Sequence, residues 1–292
     1  MDDSLPSEAR TAVLEWFDSR GRALPFRASS DPYGVLVSEV MAQQTQISRV
    51  ADKWAAFMDA FPSVRVLAVA PPADVLRAWR GLGYNRRALN LQRAARAIVA
   101  DHNGMVPSAL ADLERLPGVG RYTARAVACL AFGRPVGAVD TNVRRVLQRV
   151  IAADEPMPPA RLQSAADGAV PAERPADWTH ALMDIGATVC RPTSPRCAEC
   201  PLRPWCAFAA HGASLPARRR ARDVQPFETT TRWVRGRIVD LLRDAPPGDW
   251  TRLDGQIGSH DVVAVEGAIA GLELDGLLER HRDDPQLLRL GR

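Results

Sequence analysis

The chain has 292 residues, 46% of them hydrophobic and 25% charged, a composition that belongs to an ordinary soluble protein and has room for two or three domains. No apolar run approaches the roughly eighteen residues of a membrane span, and acidic Asp2 and Asp3 open the chain where a secretory signal carries Lys or Arg. These features exclude a membrane protein and point to a reducing, cytoplasmic compartment. The formal charge of +4 is uneven: residues 221–292 hold ten Arg against thirteen Asp plus Glu, which leaves 28 basic and 21 acidic residues before them. A basic excess there suits a nucleic-acid partner, with a solvated basic face as the plain alternative.

Apolar residues recur at three- and four-residue intervals over 7–18, 46–60, 88–101, 121–131, 141–151 and 176–187, between Pro, Gly and Asn breakers. An all-α globule is therefore predicted. In PYGVLVSEVMAQQTQI, a helix sets Glu39 beside Val35, Leu36, Val40 and Met41. Read alone, such a glutamate is a solvated helix-edge residue; buried there instead, it would have a raised pKa and act as a general acid. Further along, LPGVG at Leu116–Gly120 lies between a helix starting near Ser108 and another opening at Arg121. Gly118 and Gly120 let the backbone turn with its amides outward, a phosphate cradle at a helix N-terminus to which Arg121 adds charge. An ordinary helix C-cap accounts for the same residues. Asp140, before NVRRVLQ, has the position of a helix N-cap, with Asn142 as its neighbour.

Cys190, Cys197, Cys200 and Cys206 follow in the order C-x6-C-x2-C-x5-C. In a chain of this size without a secretory signal they read as a metal centre, either structural zinc or an iron-sulfur cluster held by four thiolates. The fifth cysteine, Cys129, lies in apolar AVACLAF and is expected in the core. Residues 213–228, with an arginine cluster from Arg218 to Arg222, read as a linker. The last segment, 229–292, has the pattern of a small winged-helix-like domain: helices over 231–243, about 250–257 and about 261–271, then two short strands in LELDGLLERH and QLLRLG. From residue 231 on it holds nine Arg against eleven acidic residues, which speaks against its gripping DNA alone and favours packing on the rest of the chain or on a protein partner.

The cysteine run resembles the 4Fe-4S loop of the endonuclease III and MutY family of DNA glycosylases, and helix, LPGVG and helix followed by Asp140 resemble that superfamily's helix-hairpin-helix signature. SEVMAQQT is similar to the octet SEVMLQQT of MutY-type adenine glycosylases. LPFR, GLGY, LPGVGRYTA, VDTNVRRV and ALMDIGATVC extend the resemblance over residues 7–212. It implies two helical lobes clasping mismatched or damaged double-stranded DNA: a central domain over 25–136, and a cluster domain from 1–24 and 137–212. It further implies a 4Fe-4S cluster on the four cysteines, with zinc as the lesser alternative. Glu39 would protonate a flipped adenine, Asp140 would stabilise the sugar cation, and Asn142 and Tyr122 would position them. Arg27, Gln43, Gln44, Thr45 and Tyr84, with hairpin residues Gly118, Val119, Gly120 and Arg121, would contact DNA.

The reaction implied is excision of adenine opposite 8-oxoguanine or guanine in base excision repair. Its alternatives are a thymine or oxidised-pyrimidine glycosylase and a non-catalytic iron-sulfur or zinc DNA-binding protein. Lys53 is the single lysine beside thirty-seven arginines, and endonuclease III has its catalytic lysine where this chain has Tyr122, so a monofunctional enzyme without strong lyase activity is predicted. Phe26, Asn85 and Arg125 depart from residues frequent in the family. After His211 no G-x5-E-x7-R-E-x2-E-E run of a Nudix-like domain follows. A monomer in a bacterial cytoplasm, associated with the nucleoid, completes the expectation.

Overall fold

A computed structural model describes residues 3–212 and 225–291. Most of the expected linker, 213–224, with its arginine cluster, lies outside the described residues. In chain order the helices are α1 (Ser7–Arg20), α2 (Pro32–Ala42), α3 (Ile47–Ala60), α4 (Val64–Val69), α5 (Pro72–Ala78), α6 (Arg86–Asp101), α7 (Leu110–Arg115), α8 (Arg121–Phe132), α9 (Thr141–Ala152), α10 (Pro159–Ala169), α11 (Pro175–Asp184), α12 (Ala207–Ala210), α13 (Thr231–Asp244) and α14 (Val262–Leu274). Short strands β1 (Thr251–Arg252), β2 (Leu278–Arg280) and β3 (Leu287–Leu290) complete the described chain. The fold is all-α apart from them. None of the described helices is long and apolar enough to cross a membrane.

Four helices escaped the periodicity, among them the four-residue α12. Prolines 72 and 159, which read as breakers, sit in the first turns of α5 and α10, where a missing N–H costs nothing; α4, six residues long, is too short for a pattern. A helix over about 250–257 is not formed. That stretch holds β1 and then Gly255 and Gly258 at φ of 93° and 61°, a left-handed backbone that ends regular structure. Residues Leu272 to Leu274, expected at the start of a strand, continue α14 instead.

The chain divides into two compact units. The first comprises Met1–Glu39, Ser108–Arg115 and Val119–Arg219. Its core is built by helix faces: Val143, Val146, Leu147 and Val150 of α9 follow the helical repeat and pack with Ala9 and Val13 of α1 and Trp178 and Leu182 of α11. Each such buried side chain is worth roughly 1.5–3 kcal/mol. Cys129 is among the fully buried residues, as expected.

The second unit comprises Val40–Pro107, Leu116–Gly118 and Arg220–Arg292. Here α4 packs on α6, and Phe57 meets Trp79 edge-on with centroids 5.8 Å apart. The terminal strands form an antiparallel sheet in the order β1-β3-β2, with Leu278 opposite Leu290. This sheet and α14 pack with α13. Buried Arg243 of α13 donates to the Leu76 carbonyl (2.8 Å) and to Asn85 Oδ1 (2.9 Å), which ties the terminal segment to α5 and the start of α6.

Candidate active site and nucleic-acid interface

Glu39 is carried by α2, whose Val35, Leu36, Val37, Val40 and Met41 are all buried, and it is itself only 8% exposed. Burial pushes its carboxyl up to about 7. A hydrogen bond from Tyr122 opposes that shift, the charge of Asp140 adds to it, and Arg27 opposes it. Its Oε2 is buried without a hydrogen-bond partner. Burial and the two carboxylates hold the Tyr122 phenol well above its ordinary range, so it remains a neutral donor. A carboxyl with this poise holds a transferable proton at neutral pH.

Asp140 caps α9: Oδ1 accepts from the Val143 amide at 2.7 Å, and Oδ2 accepts from Asn142 Nδ2 at 3.0 Å. Asn142 is held from its other end, where Oδ1 accepts from Arg145 Nη2 at 2.9 Å. Arg145 also donates to the carbonyls of Gly186 (2.6 Å) and Cys190 (2.7 Å). Gly186 lies in a wide π turn, Ile185–Val189, that extends α11; a Cβ there would stand 2.5 Å from the Asn142 Cβ. The first unit thus brings Glu39, Tyr122, Asp140 and Asn142 into one electrostatic group, with the Asp140 carboxylate beside the acid.

Arg27, expected among the duplex contacts, has its terminal nitrogens closed on fully buried Asp184 at 2.8 and 2.9 Å, and Arg22 donates to the same carboxylate from Nε and its backbone amide. Burial pushes the Asp184 carboxyl up, but these hydrogen bonds hold it below its ordinary range. Arg27 lines a polar cavity with Glu39, Ser29, Ser38 and His180. Burial, then the charge of Arg27, pushes the His180 imidazole down to about 3, so it is neutral. Asp184, Arg22 and Arg145 gave no sequence signal of their own. Besides the Arg145 contacts within α9, their partners lie 41 to 162 residues away in the chain.

In the second unit, Gln44 and Tyr84 adopt left-handed φ of 55° and 45°, strained for non-glycine residues, and both are exposed. Arg87 holds their loops. Its Nη1 donates to the carbonyls of Val40, Met41 and Gln43, and its Nη2 donates to Thr45 Oγ1 and to the carbonyls of Leu82 and Gly83, all at 2.6–3.0 Å. Gln43 Nε2 donates to the Gly118 carbonyl at 3.3 Å. Gly118, at φ 78°, has the Asn90 Cβ where its own Cβ would be, 2.8 Å away. Val119 turns its side chain into the core, 6% exposed, whereas Gly120 faces open space and Arg121 is exposed. No side chain caps α8 at Gly120.

Cys190, Cys197, Cys200 and Cys206 line one cavity of the first unit with Val146, Val189 and Phe208, and all four are free thiols. Burial pushes Cys200 up to about 12, and the charges of the other three cysteines add to this. Four cysteines lining one apolar cavity are the donor type that a thiolate-bound metal group takes, though their sulfurs are not arranged as a closed ligand set. Among the described residues no group of three or more His, Cys, Asp or Glu is arranged to hold a metal ion.

Residues 37–170 match the HhH-GPD superfamily of base excision DNA repair proteins. The chain is 42% identical over 275 residues to the adenine DNA glycosylase of Mycolicibacterium smegmatis, covering 93% of this chain and 92% of that protein. It is 44% identical to that of Mycobacterium tuberculosis, covering 94% and 91%, and 41% identical to the Homo sapiens enzyme, covering 68% and 38%. Similar solved structures include a thermostable thymine-DNA glycosylase, 29% identical with a TM-score of 0.66 over 69% of this chain and 95% of that one. Another is an endonuclease III–DNA complex, 25% identical with a TM-score of 0.60 over 70% and 94%.

Proposed function

Because the chain belongs to the MutY-type adenine DNA glycosylases of the HhH-GPD superfamily, we propose that it hydrolyses the N-glycosidic bond of adenine mispaired with 8-oxoguanine or guanine in double-stranded DNA, a step of base excision repair. The observation that carries this reading is the Glu39 carboxyl poised at about 7 beside Tyr122 and Asp140. The base must leave the stack before its glycosidic bond is reachable. Glu39 gives its proton to a ring nitrogen of the flipped adenine, so the bond's electron pair departs onto a neutral base. The sugar cation left behind is stabilised by Asp140, which Asn142 and the Val143 amide orient. Water adds to the anomeric carbon and gives up a proton, leaving an abasic site.

A lyase step commonly runs through a Schiff base on a lysine amine; the single lysine of the chain, Lys53, lies on α3, and Tyr122 stands where endonuclease III carries its catalytic lysine. The enzyme is therefore monofunctional. Cys190, Cys197, Cys200 and Cys206 would hold a 4Fe-4S cluster, which supplies a fixed thiolate anchor for a loop bearing Arg191, Arg196 and Arg203. The protein acts as a monomer in the bacterial cytoplasm, bound to the nucleoid, with the terminal segment as the surface for any protein partner.

The test is a single-turnover panel of duplexes with adenine opposite 8-oxoguanine, guanine and cytosine, and with thymine opposite guanine, run with and without borohydride. Released adenine without a trapped covalent adduct is expected. Release of thymine alone, or a trapped adduct, would overturn the reading.

A further inference from the structure

We propose that Arg125 of α8 and Asp167 of α10 are positioning residues for Asp140: they clamp Gly137 and thereby fix the segment that carries the aspartate to the start of α9. What Asp140 does once placed rests on the glycosylase reading above; how it is placed is independent of that reading. Residues 133–140 join α8 to α9 without regular structure, and Gly137 and Ala138 are buried. Buried peptide groups outside helices and strands must find partners elsewhere. At Gly137 side chains supply them on both sides. Its amide donates to Asp167 Oδ1 at 2.8 Å, and its carbonyl accepts from Arg125 Nε at 2.8 Å and from Gln163 Nε2 at 2.9 Å. Asp167 Oδ1 also accepts from Arg125 Nη2 and, at 3.2 Å, from Gln163 Nε2, so the clamp is closed on itself.

Close packing removes the remaining freedom. A Cβ at Gly137 would stand 2.7 Å from the Cβ and the backbone carbonyl carbon of Ala166, so the segment lies directly on α10. Asp140 follows after roughly 10 Å of chain at most, and its carboxylate is then held by Asn142 and the Val143 amide. One end of the approach is thus fixed by α9 and the other by α8 and α10. Arg125 divides its planar fork between a carbonyl and a carboxylate, a geometry particular to arginine. It also departs from the residue frequent in the family, so the resemblance assigns it no role. The placement of Asp140 matters to the acid. Burial, opposed by the hydrogen bond from Tyr122, raises the Glu39 carboxyl, and the charge of Asp140 raises it further against that of Arg27. Asp177 and the neutral His180, both of α11, share the Glu39 cavity. Among these groups Asp140 is the one that the clamped segment carries, so its displacement would show as a Glu39 carboxyl that titrates lower.

The test uses the full chain and reads Glu39 directly, by infrared titration of its carboxyl with Glu39→Gln as the blank, beside single-turnover excision and duplex binding. Circular dichroism melting confirms that each variant is folded; Gln163 still holds the Gly137 carbonyl in all of them. In Arg125→Ala and Asp167→Ala, Glu39 is expected to titrate lower than in the wild type by about half a unit or more. Excision at saturating enzyme is expected to slow about tenfold while duplex affinity changes less than roughly threefold. Asp167→Asn, whose Oδ1 can accept from the same donors, is expected to restore both the titration and the rate. Arg161→Ala, which breaks the Arg161–Asp3 pair on the same helix, is expected to change neither. An unchanged Glu39 titration in both alanine variants, Asp167→Asn as impaired as Asp167→Ala, or an equal effect of Arg161→Ala would overturn the proposal. A wild type that releases no base would sink the glycosylase reading instead, and the titration would still decide the clamp.

Discussion

Arg27 grips Asp184 through paired hydrogen bonds of 2.8 and 2.9 Å, and the aspartate, with no surface left exposed, is also held by Arg22. Replacing Asp184 by Asn leaves two guanidinium groups facing a neutral amide in the interior of the first unit. A loss of about 3–5 kcal/mol in unfolding free energy is expected, the cost of a buried charge deprived of its partner. Urea unfolding of Asp184→Asn checks it, and a loss below about 1 kcal/mol would refute the structural importance of the pair. Because the Asp184 carboxyl titrates below its ordinary range, the wild type carries this stabilisation at neutral pH and loses it as pH falls through the carboxyl's lowered native value.

Glu39 behaves oppositely. Its native value of about 7 exceeds the ordinary 4.5, so between those pH values the folded protein holds a proton that the unfolded chain has released. Stability conferred on this group is present below about 4.5 and declines as pH rises through 7. Glu39→Gln should therefore match the wild type near pH 4.5 and exceed it above pH 7, by up to about 3 kcal/mol. Base excision should fall as pH rises through about 7 in the wild type, where folded Glu39 loses its proton, and should be lost in Glu39→Gln while duplex binding persists. Paired thermal melts and single-turnover rates across pH read both effects.

Gly186 is required by its neighbour. Any Cβ at this position collides with Asn142, 2.5 Å away, and would displace the amide that holds Asp140. Gly186→Ala is expected to slow excision at least tenfold while duplex affinity changes less than threefold, on the order of 1.4 kcal/mol confined to the chemical step. Rates at saturating enzyme, compared with binding isotherms, separate the two.

Cys200 lines the same cavity as the other three cysteines, and Cys200→Ser would remove one ligand from a four-cysteine set. The purified wild type should show absorbance near ~400 nm and about four iron per chain, both reduced in the variant. Zinc without iron in the wild type would replace the cluster by a structural zinc site.

The acid group was legible in two ways. Asp140 before a helix follows from a few adjacent residues and caps α9 as that pattern leads, whereas Glu39, by local pattern a solvated helix-edge residue, was singled out by the resemblance of SEVMAQQT and is buried. The supporting residues were not legible. Arg145 reaches the carbonyl of Cys190, forty-five positions away, and an arginine's sequence neighbours carry no trace of such a partner. The terminal segment packs on α5 and the start of α6 through Arg243, a contact that its net charge does not specify. Its second predicted helix failed because Gly255 and Gly258 were outweighed by nearby apolar residues, whereas their left-handed backbone decides the conformation.

Arg87 draws five backbone carbonyls and the Thr45 hydroxyl onto two nitrogens, at the end of α2 and on the turn before Tyr84. Gln44 and Tyr84 are consequently fastened to the same bolt. Whatever tilts one loop must tilt the other, so under the proposed function a duplex would meet a single stiff tool at this surface, the work of deforming it would fall on the DNA, and a mismatched pair, already weakened, would be the one to yield.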